Sequence, residues 1–394
     1  MIGDGWDDQP AMRPDAGPDV EPTRARIAII TGTRAEFGLL APVMDAVARN
    51  NALQLLVIAA GSHLVLPAQT FHEVKARFKV AGIVPMQVAG RTGRAADVQA
   101  VGSGVGRFGR EFTRLQPACV VVLGDRVEAF AAAAAASIGG YAVAHIHGGD
   151  RAEGVADEAM RHAITKLAHI HFPATEASVK RIIAMGEDEF RVHRVGSPAI
   201  DAIASIGPVS GERYEALGSP TCVLLHHPVG GDDETEEANA SAILDELEGE
   251  RVLALMPNLD AGRAGIARAI KQAGVRSENH LPREEFVGLL RWLAVSKGVL
   301  LGNSSAALIE AAAVGVRAVD IGPRQAGRER CANVVHIDSP RGGALRRAIA
   351  SARALDLAGL EHPYGDGRAG ERIAAVLART DFRAASLLRK RNAY

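Results

Sequence analysis

Apolar residues in this chain come in short unbroken runs, each closed by a Gly-rich polar turn and followed by a stretch of helical period. In the first half the runs IAIIT (27–31), LQLLVIAA (53–60), CVVVL (119–123), YAVAHIH (141–147), AHIHF (168–172) and FRVHRV (190–195) predict six strands. Helices are expected over 34–50, 71–78, 95–115, through the alanine run 131–136, through DEAMRHAITK and over 175–185. The alternation restarts at CVLLHHPVG (222–230), RVLALM (251–256), a short piece near Val275, GVLLGNSS (298–305) and RAVDIG (317–322). Helices are expected between these runs, including AALIEAAAVG (306–315), and from 341 onward the chain reads mostly as helix.

Strand–helix alternation of this kind predicts an α/β fold of two Rossmann-like, doubly wound domains. The expected boundaries are 25–205 and 206–370, with a hinge at Gly207, Pro208, Ser210 and Gly211 and a helical segment over 371–394. Residues 1–24 are acidic and rich in Pro and Gly, with neither a basic start nor an apolar core. They read as a disordered tail and not as a secretory signal.

The 394 residues are 47% hydrophobic and 23% charged, and the formal net charge of -1 offers no long-range attraction to nucleic acid or an acidic membrane. Neither is an expected partner. Cys119, Cys222 and Cys331 lie far apart, which predicts inert core thiols in a reducing, cytoplasmic compartment.

Ligands of open parallel sheets bind outside the carboxyl ends of the strands, so the turns carry the chemistry. Asp125, Arg126, His147 and Asp150 all leave strands within 119–166, the stretch around which the chain is organised. Asp125 and Glu128 flanking Arg126 also fit a local salt bridge, and Asp157, Glu158, Arg161, His162 and Lys166 fit a solvated helix face. His145 and His147 share a strand face and, with Asp150, imitate a metal site. No third histidine follows at ligand spacing, so hydrogen-bonding histidines and no metal are expected.

Arg34, after Gly32 and Thr33, reads equally as a phosphate ligand or a surface charge. Asn303, Ser304 and Ser305 form a second phosphate-friendly turn or a simple helix cap, and Arg324, Gln325, Arg328 and Arg330 leave a third strand. The GxGxxG match at 104–109 lies inside a helical stretch, which is the wrong context for a dinucleotide fingerprint. Glycines at close helix contacts explain it better.

Taken in order, GTRAEFGLLAPV, VVVLGDRVE, AHIHGGDRAEG, DEAMRHAITKLAH, HFPATE, VGSPAID, LLHHPV, GNSSAALIEA and IGPRQAGR resemble the hydrolysing UDP-N-acetylglucosamine 2-epimerases of sialic and related nonulosonic acid pathways. The resemblance covers about 26–370. It implies a GT-B fold with the two domains facing across a cleft, a nucleoside-diphosphate sugar between them, and no cofactor. It also implies elimination of the diphosphate to a glycal, then addition of water with inversion at C2.

Residue by residue, the resemblance makes Asp125 a catalytic carboxylate and Asp157 and Glu158 the acidic pair. It puts His227 near the diphosphate, Arg34, Ser304 and Ser305 on phosphate, and Glu310 on ribose hydroxyls. His147 and Asp150 complete the expected catalytic set, and Arg126, Arg161, Asn303, Arg324 and Arg328 the substrate-binding set. The family pattern has glutamate where this chain has Asp150. Aspartate is one methylene shorter, so proton transfer to the same carbon would need a backbone shift or a water. The alternatives are a 2,4-diacetamido-trideoxy sugar or a GDP sugar, a GT-B glycosyltransferase, and a nucleotide-sugar-binding protein without turnover. A homodimer or dimer of dimers is the ordinary expectation for assembly.

Overall fold

The computed structural model describes residues 24–66, 69–151, 156–201, 203–258 and 260–393, with the side chains of Ala156 and Asp157 also outside the description. The tail expected over 1–24 lies outside the described residues except for Arg24.

Among the described residues twelve strands form two all-parallel sheets. The first holds β1 (Ala25–Thr31), β2 (Leu53–Ala60), β3 (Val80–Val84), β4 (Cys119–Leu123), β5 (Ala142–Ile146) and β6 (Ile170–Phe172) in the order β3-β2-β1-β4-β5-β6. The second holds β7 (Cys222–Leu225), β8 (Val252–Leu255), β9 (Arg276–Glu278), β10 (Val299–Gly302), β11 (Arg317–Ile321) and β12 (Val334–Ile337) in the order β12-β11-β10-β7-β8-β9. Each sheet is buried on both faces between helices, which is why its central strands are runs of Val, Ile, Leu and Ala without polar alternation. This is the GT-B arrangement of two Rossmann-like lobes.

The alanine run works as its composition suggests: Ala131, Ala132, Ala133 and Ala136 are fully buried, and their helix Val127–Ile138 lies against both the sheet and the helix Arg94–Leu115. Of the 104–109 glycines, Gly104 alone makes the close contact expected. A Cβ there would stand 2.9 Å from Met86 Cε, whereas Gly106 and Gly109 face open space.

Four elements depart from expectation. β3 and β12 are edge strands that the pattern did not announce, because VAGIV carries Gly82 next to a register shift and VVHI is only half-buried. The strand expected over 190–195 is a 3-10 turn, Glu189–Arg191, with a single bridge between His171 and Val192. Arg191 donates there to the carbonyls of His169, Ser386 and Leu387, so the C-terminal segment covers the sheet edge that a strand would have extended. The helix expected over 306–315 is a 3-10 turn, Ser305–Ala307, followed by a short helix, Glu310–Val314. His362 takes the carbonyl of Ile309 at the break.

The chain ends back on the first lobe. Ile373, Ala374 and Leu377 of the helix Ala369–Arg379 share a core with Ile27, Leu40, Met44 and Val47, and Asp201 caps that helix by accepting from the N–H groups of Ala369 (2.9 Å) and Gly370 (2.6 Å). Where the returning segment passes the outgoing one, Ser197 N donates to Tyr364 O at 2.7 Å. A Cβ on Gly196 would stand 2.8 Å from that same carbonyl oxygen, so only glycine fits.

Candidate active site

Each sheet reverses its strand order once, and a crevice opens at the carboxyl ends of the two strands on either side of the reversal. In the first lobe these are β1 and β4, which deliver Gly32, Thr33 and Arg34 on one side and Gly124, Asp125 and Arg126 on the other. In the second they are β7 and β10, which deliver His226 and His227, and Asn303, Ser304 and Ser305.

The two crevices meet. Arg126 reaches Asp260 of the second lobe at 3.4 Å, Arg328 stands 3.8 Å from Asp150, and Arg181 donates to Gly327 O at 2.9 Å.

Asp125 pairs with Arg161 Nη2, which rises from the helix Ala156–Leu167. Arg161 is 3% exposed, and its Nε and Nη1 have no hydrogen-bond partner among the described residues. Burial, and then the charges of Arg328 and Arg324, push its pKa well below the usual arginine range. Cations from both lobes thus gather beside the Asp125–Arg161 pair, and the guanidinium nitrogens of Arg161 left without hydrogen-bond partners among the described residues suit an anion such as a diphosphate.

On the second lobe, His227 N donates to Asn303 Oδ1 at 2.7 Å and Asn303 Nδ2 returns a bond to His227 O at 2.8 Å, so the two turns lock together. Arg324 Nη1 and Gln325 Nε2 donate to Asn303 O at 3.2 and 2.8 Å. Burial first, then Arg324, His226 and Arg126, hold the His227 pKa well below its ordinary value, so the ring is neutral. Its Nδ1 accepts from Asn258 N at 3.3 Å, which leaves the proton on Nε2 as a donor. Ser304 caps the turn that follows, its Oγ accepting from Ala306 N at 3.3 Å, and Ser305 starts that turn. Glu310, whose carboxyl is pushed up by burial, is opposed by Arg283 and also by His147 and Arg328, and so shares the field of this cleft.

The remaining expected residues divide. Glu158 stands 3.4 Å from His162 Nε2 and 3.7 Å from Arg151 Nε, a half-buried acid on the same helix as Arg161. Asp157 is on that helix too, but its side chain lies outside the described residues. His145 and His147 do not work as a pair on one face. His145 stays in β5, bonded to Gly124 O at 2.8 Å, whereas His147 turns into the left-handed region (φ 62°) and contacts Asp150 and Ser197. Arg34 pairs with Glu73 at 2.9 Å and faces His280, which burial and the Arg34 charge together lower to about 4.

Of the local bridge suggested around Arg126, the Glu128 arm forms at 3.6 Å, and Asp125 pairs with Arg161. The solvated-face reading of the Asp157 helix fits Glu158 and His162 but not Arg161, which turns inward.

The burial of two acids was not read from the sequence, where Glu36 is not singled out and Glu128 is only half of a local salt bridge. Glu36 accepts from Gly32 N at 2.7 Å while Thr33 Oγ1 accepts from Glu36 N at 3.2 Å, a box spelled by Thr-x-x-Glu at the helix start. Glu128 packs under Gly32, where a Cβ would come within 2.6 Å of it, and receives Gln87 Nε2 at 3.2 Å. The glycines that make room for Glu128 lie far from it in the chain, so no local signal marks it.

A family model described as UDP-N-acetylglucosamine 2-epimerase matches residues 45–378. A UDP-N,N'-diacetylbacillosamine 2-epimerase (hydrolyzing) of Legionella pneumophila is 35% identical over 94% of this chain and 99% of its own length. A UDP-N-acetylglucosamine 2-epimerase of Neisseria meningitidis serogroup B is 31% identical over 79% of this chain and 84% of its own. The structure of the Methanocaldococcus jannaschii UDP-GlcNAc 2-epimerase, solved with UDP-GlcNAc and UDP, superposes with a TM-score of 0.75 at 18% identity, covering 90% of this chain and 100% of that one. By the family model and the Legionella match, the chain belongs to the UDP-N-acetylglucosamine 2-epimerase family.

Proposed function

We propose that the chain is a hydrolysing nucleotide-sugar 2-epimerase acting on a UDP-linked 2-acetamido sugar. The observation behind this reading is the Asp125–Arg161 pair, in which a proton-transfer carboxylate stands beside a cation cluster drawn from both lobes. Elimination needs both at once, a group to take the proton from C2 and cations to receive the diphosphate leaving C1.

In the first step the C2–H and C1–O bonds break, the proton passes to a carboxylate, and the electron pair leaves with the nucleoside diphosphate, giving a glycal. Water then adds its oxygen to C1 while C2 takes a proton on the opposite face. The products are the free sugar, inverted at C2, and the nucleoside diphosphate. Asp125 and Glu158 are the two proton carriers in this reading, with Asp157 beside Glu158. Arg161, Arg324 and Arg328, the turn at Asn303, Ser304 and Ser305, and the Nε2–H of His227 grip the diphosphate. Arg34 and Arg126 line the same crevice from the first lobe, and Glu310 takes the ribose hydroxyls.

Two sugars fit. UDP-N-acetylglucosamine is supported by the family description and the Neisseria relative, and UDP-2,4-diacetamido-2,4,6-trideoxyglucose by the Legionella relative, which matches along almost its full length. Incubating each sugar with the protein in D2O and following the products by proton NMR tests the reading. Free C2-inverted sugar carrying deuterium at C2, with stoichiometric UDP, is expected from one of them. Intact nucleotide sugar in both reactions would exclude it, and transfer to an added acceptor without C2 exchange would point to a glycosyltransferase.

A further inference from the structure

Asp150 follows His147, Gly148 and Gly149 at the end of β5, where an acid facing the sugar is expected, yet it is 2% exposed. Its Oδ1 accepts from Ser178 Oγ at 2.9 Å, and its Oδ2 lies 2.8 Å from His147 Nδ1. The other ring nitrogen of His147 is spent as well, 2.9 Å from Ser197 Oγ. Burial pushes the Asp150 carboxyl up, but His147, Arg328 and Ser178 outweigh it and hold the group below its ordinary range. An ionised carboxylate whose two oxygens are already engaged is a poor proton carrier.

What Asp150 does reach is the other lobe. Arg328 Nη2 stands 3.8 Å from its Oδ2, Arg328 Nη1 donates to Gln325 Oε1 at 2.8 Å, and Arg328 Nε is buried without a hydrogen-bond partner among the described residues. This same guanidinium bears on Arg161 at the candidate diphosphate site.

We propose that Asp150 is a positioning residue, anchoring Arg328 of the opposite lobe where the leaving diphosphate is received, and is not the carrier of the C2 proton. The proposal rests on the epimerase reading for its kinetics but not for its geometry.

The test uses the full-length protein, Asp150→Asn, Arg328→Gln and the double variant, with UDP binding measured by calorimetry and nucleoside diphosphate release by steady-state kinetics. Each single variant is expected to weaken UDP binding about tenfold and to lower kcat by a factor that is the same for both within about threefold, and the double variant to be no weaker than either single one. A hundredfold fall in kcat for Asp150→Asn at unchanged UDP affinity would make Asp150 the proton carrier and overturn the proposal. Additive losses in the double variant would overturn it equally. Should Asp150→Asn not fold, Arg328→Gln must still lose UDP affinity, and unchanged binding there refutes the idea. If the unmodified protein turns over no nucleotide sugar, the epimerase reading fails while the UDP titrations still decide whether Asp150 and Arg328 act together.

Discussion

Asp125 and Arg161 form a buried ion pair in which the arginine is the more deeply enclosed partner and keeps two nitrogens without hydrogen-bond partners among the described residues. Replacing Asp125 by Asn removes the carboxylate and leaves the cations. Turnover should fall at least about a hundredfold, with UDP affinity kept or increased because the uncompensated charge now favours the anion. Single-turnover rates alongside UDP titration check both halves, and loss of binding together with rate would count against the assignment. Glu158→Gln should lower turnover on the same scale with binding retained.

Glu36 and Glu128 place two carboxyl groups side by side under the Gly32 turn. Burial, and then the Glu128 charge, raise the Glu36 pKa to about 8. An acid whose folded pKa lies above its unfolded value contributes stability that is complete below about 4.5 and is lost as pH rises through about 8. The melting temperature should therefore decline between those limits. Glu36→Gln, which still accepts from Gly32 N–H, should flatten that decline by roughly 5 °C or more. Parallel slopes for the two proteins would show that Glu36 is not the titrating group.

His227 is neutral because burial and three neighbouring basic groups disfavour its cation. The terminal phosphate of UDP itself titrates at about pH 6.5, so the pH dependence of UDP affinity should have the same shape in the parent and in His227→Ala, with the variant about tenfold weaker at every pH from 6 to 8 for want of a neutral donor. Binding that strengthens sharply on acidification through 6.5 in the parent, and no longer does so in the variant, would mean that the ring carries charge.

Glu187 is buried between Lys166 (2.7 Å), Lys390 (2.6 Å) and His171 (3.0 Å), and Lys390 also donates to the carbonyls of Thr165, Lys166 and Ala168 at the end of the Glu158 helix. Lys390→Met should cost about 2–3 kcal/mol of stability, because it strands part of a buried charge and three helix-end carbonyls. Denaturant unfolding measures this, and a loss below about 0.5 kcal/mol would mean the lysine behaves as an ordinary surface group.

How much of this could be read from the chain depended on how local each signal was. Both sheets were legible because buried parallel strands spell themselves as Val, Ile and Leu runs, and the turns that carry Asp125, His227 and Ser304 follow those runs directly. β3 and β12 were not, because an edge strand with a glycine or half its side chains in solvent carries no such spelling. The inward turn of Arg161 was hidden because it sits among other charged residues of its helix, of which Glu158 and His162 stay partly exposed. The engagement of Asp150 was hidden for another reason: Ser178, Ser197 and Arg328 come from three distant segments, and no spacing in the chain announces their meeting.

The polypeptide passes between the lobes once near 203–211 and returns before the helix Ala369–Arg379, and the passing segments touch at Gly196 and Gly365. A molecule stitched twice at one seam cannot let its halves drift apart. If the cleft between the lobes widens, this double crossing is the pivot about which it does so.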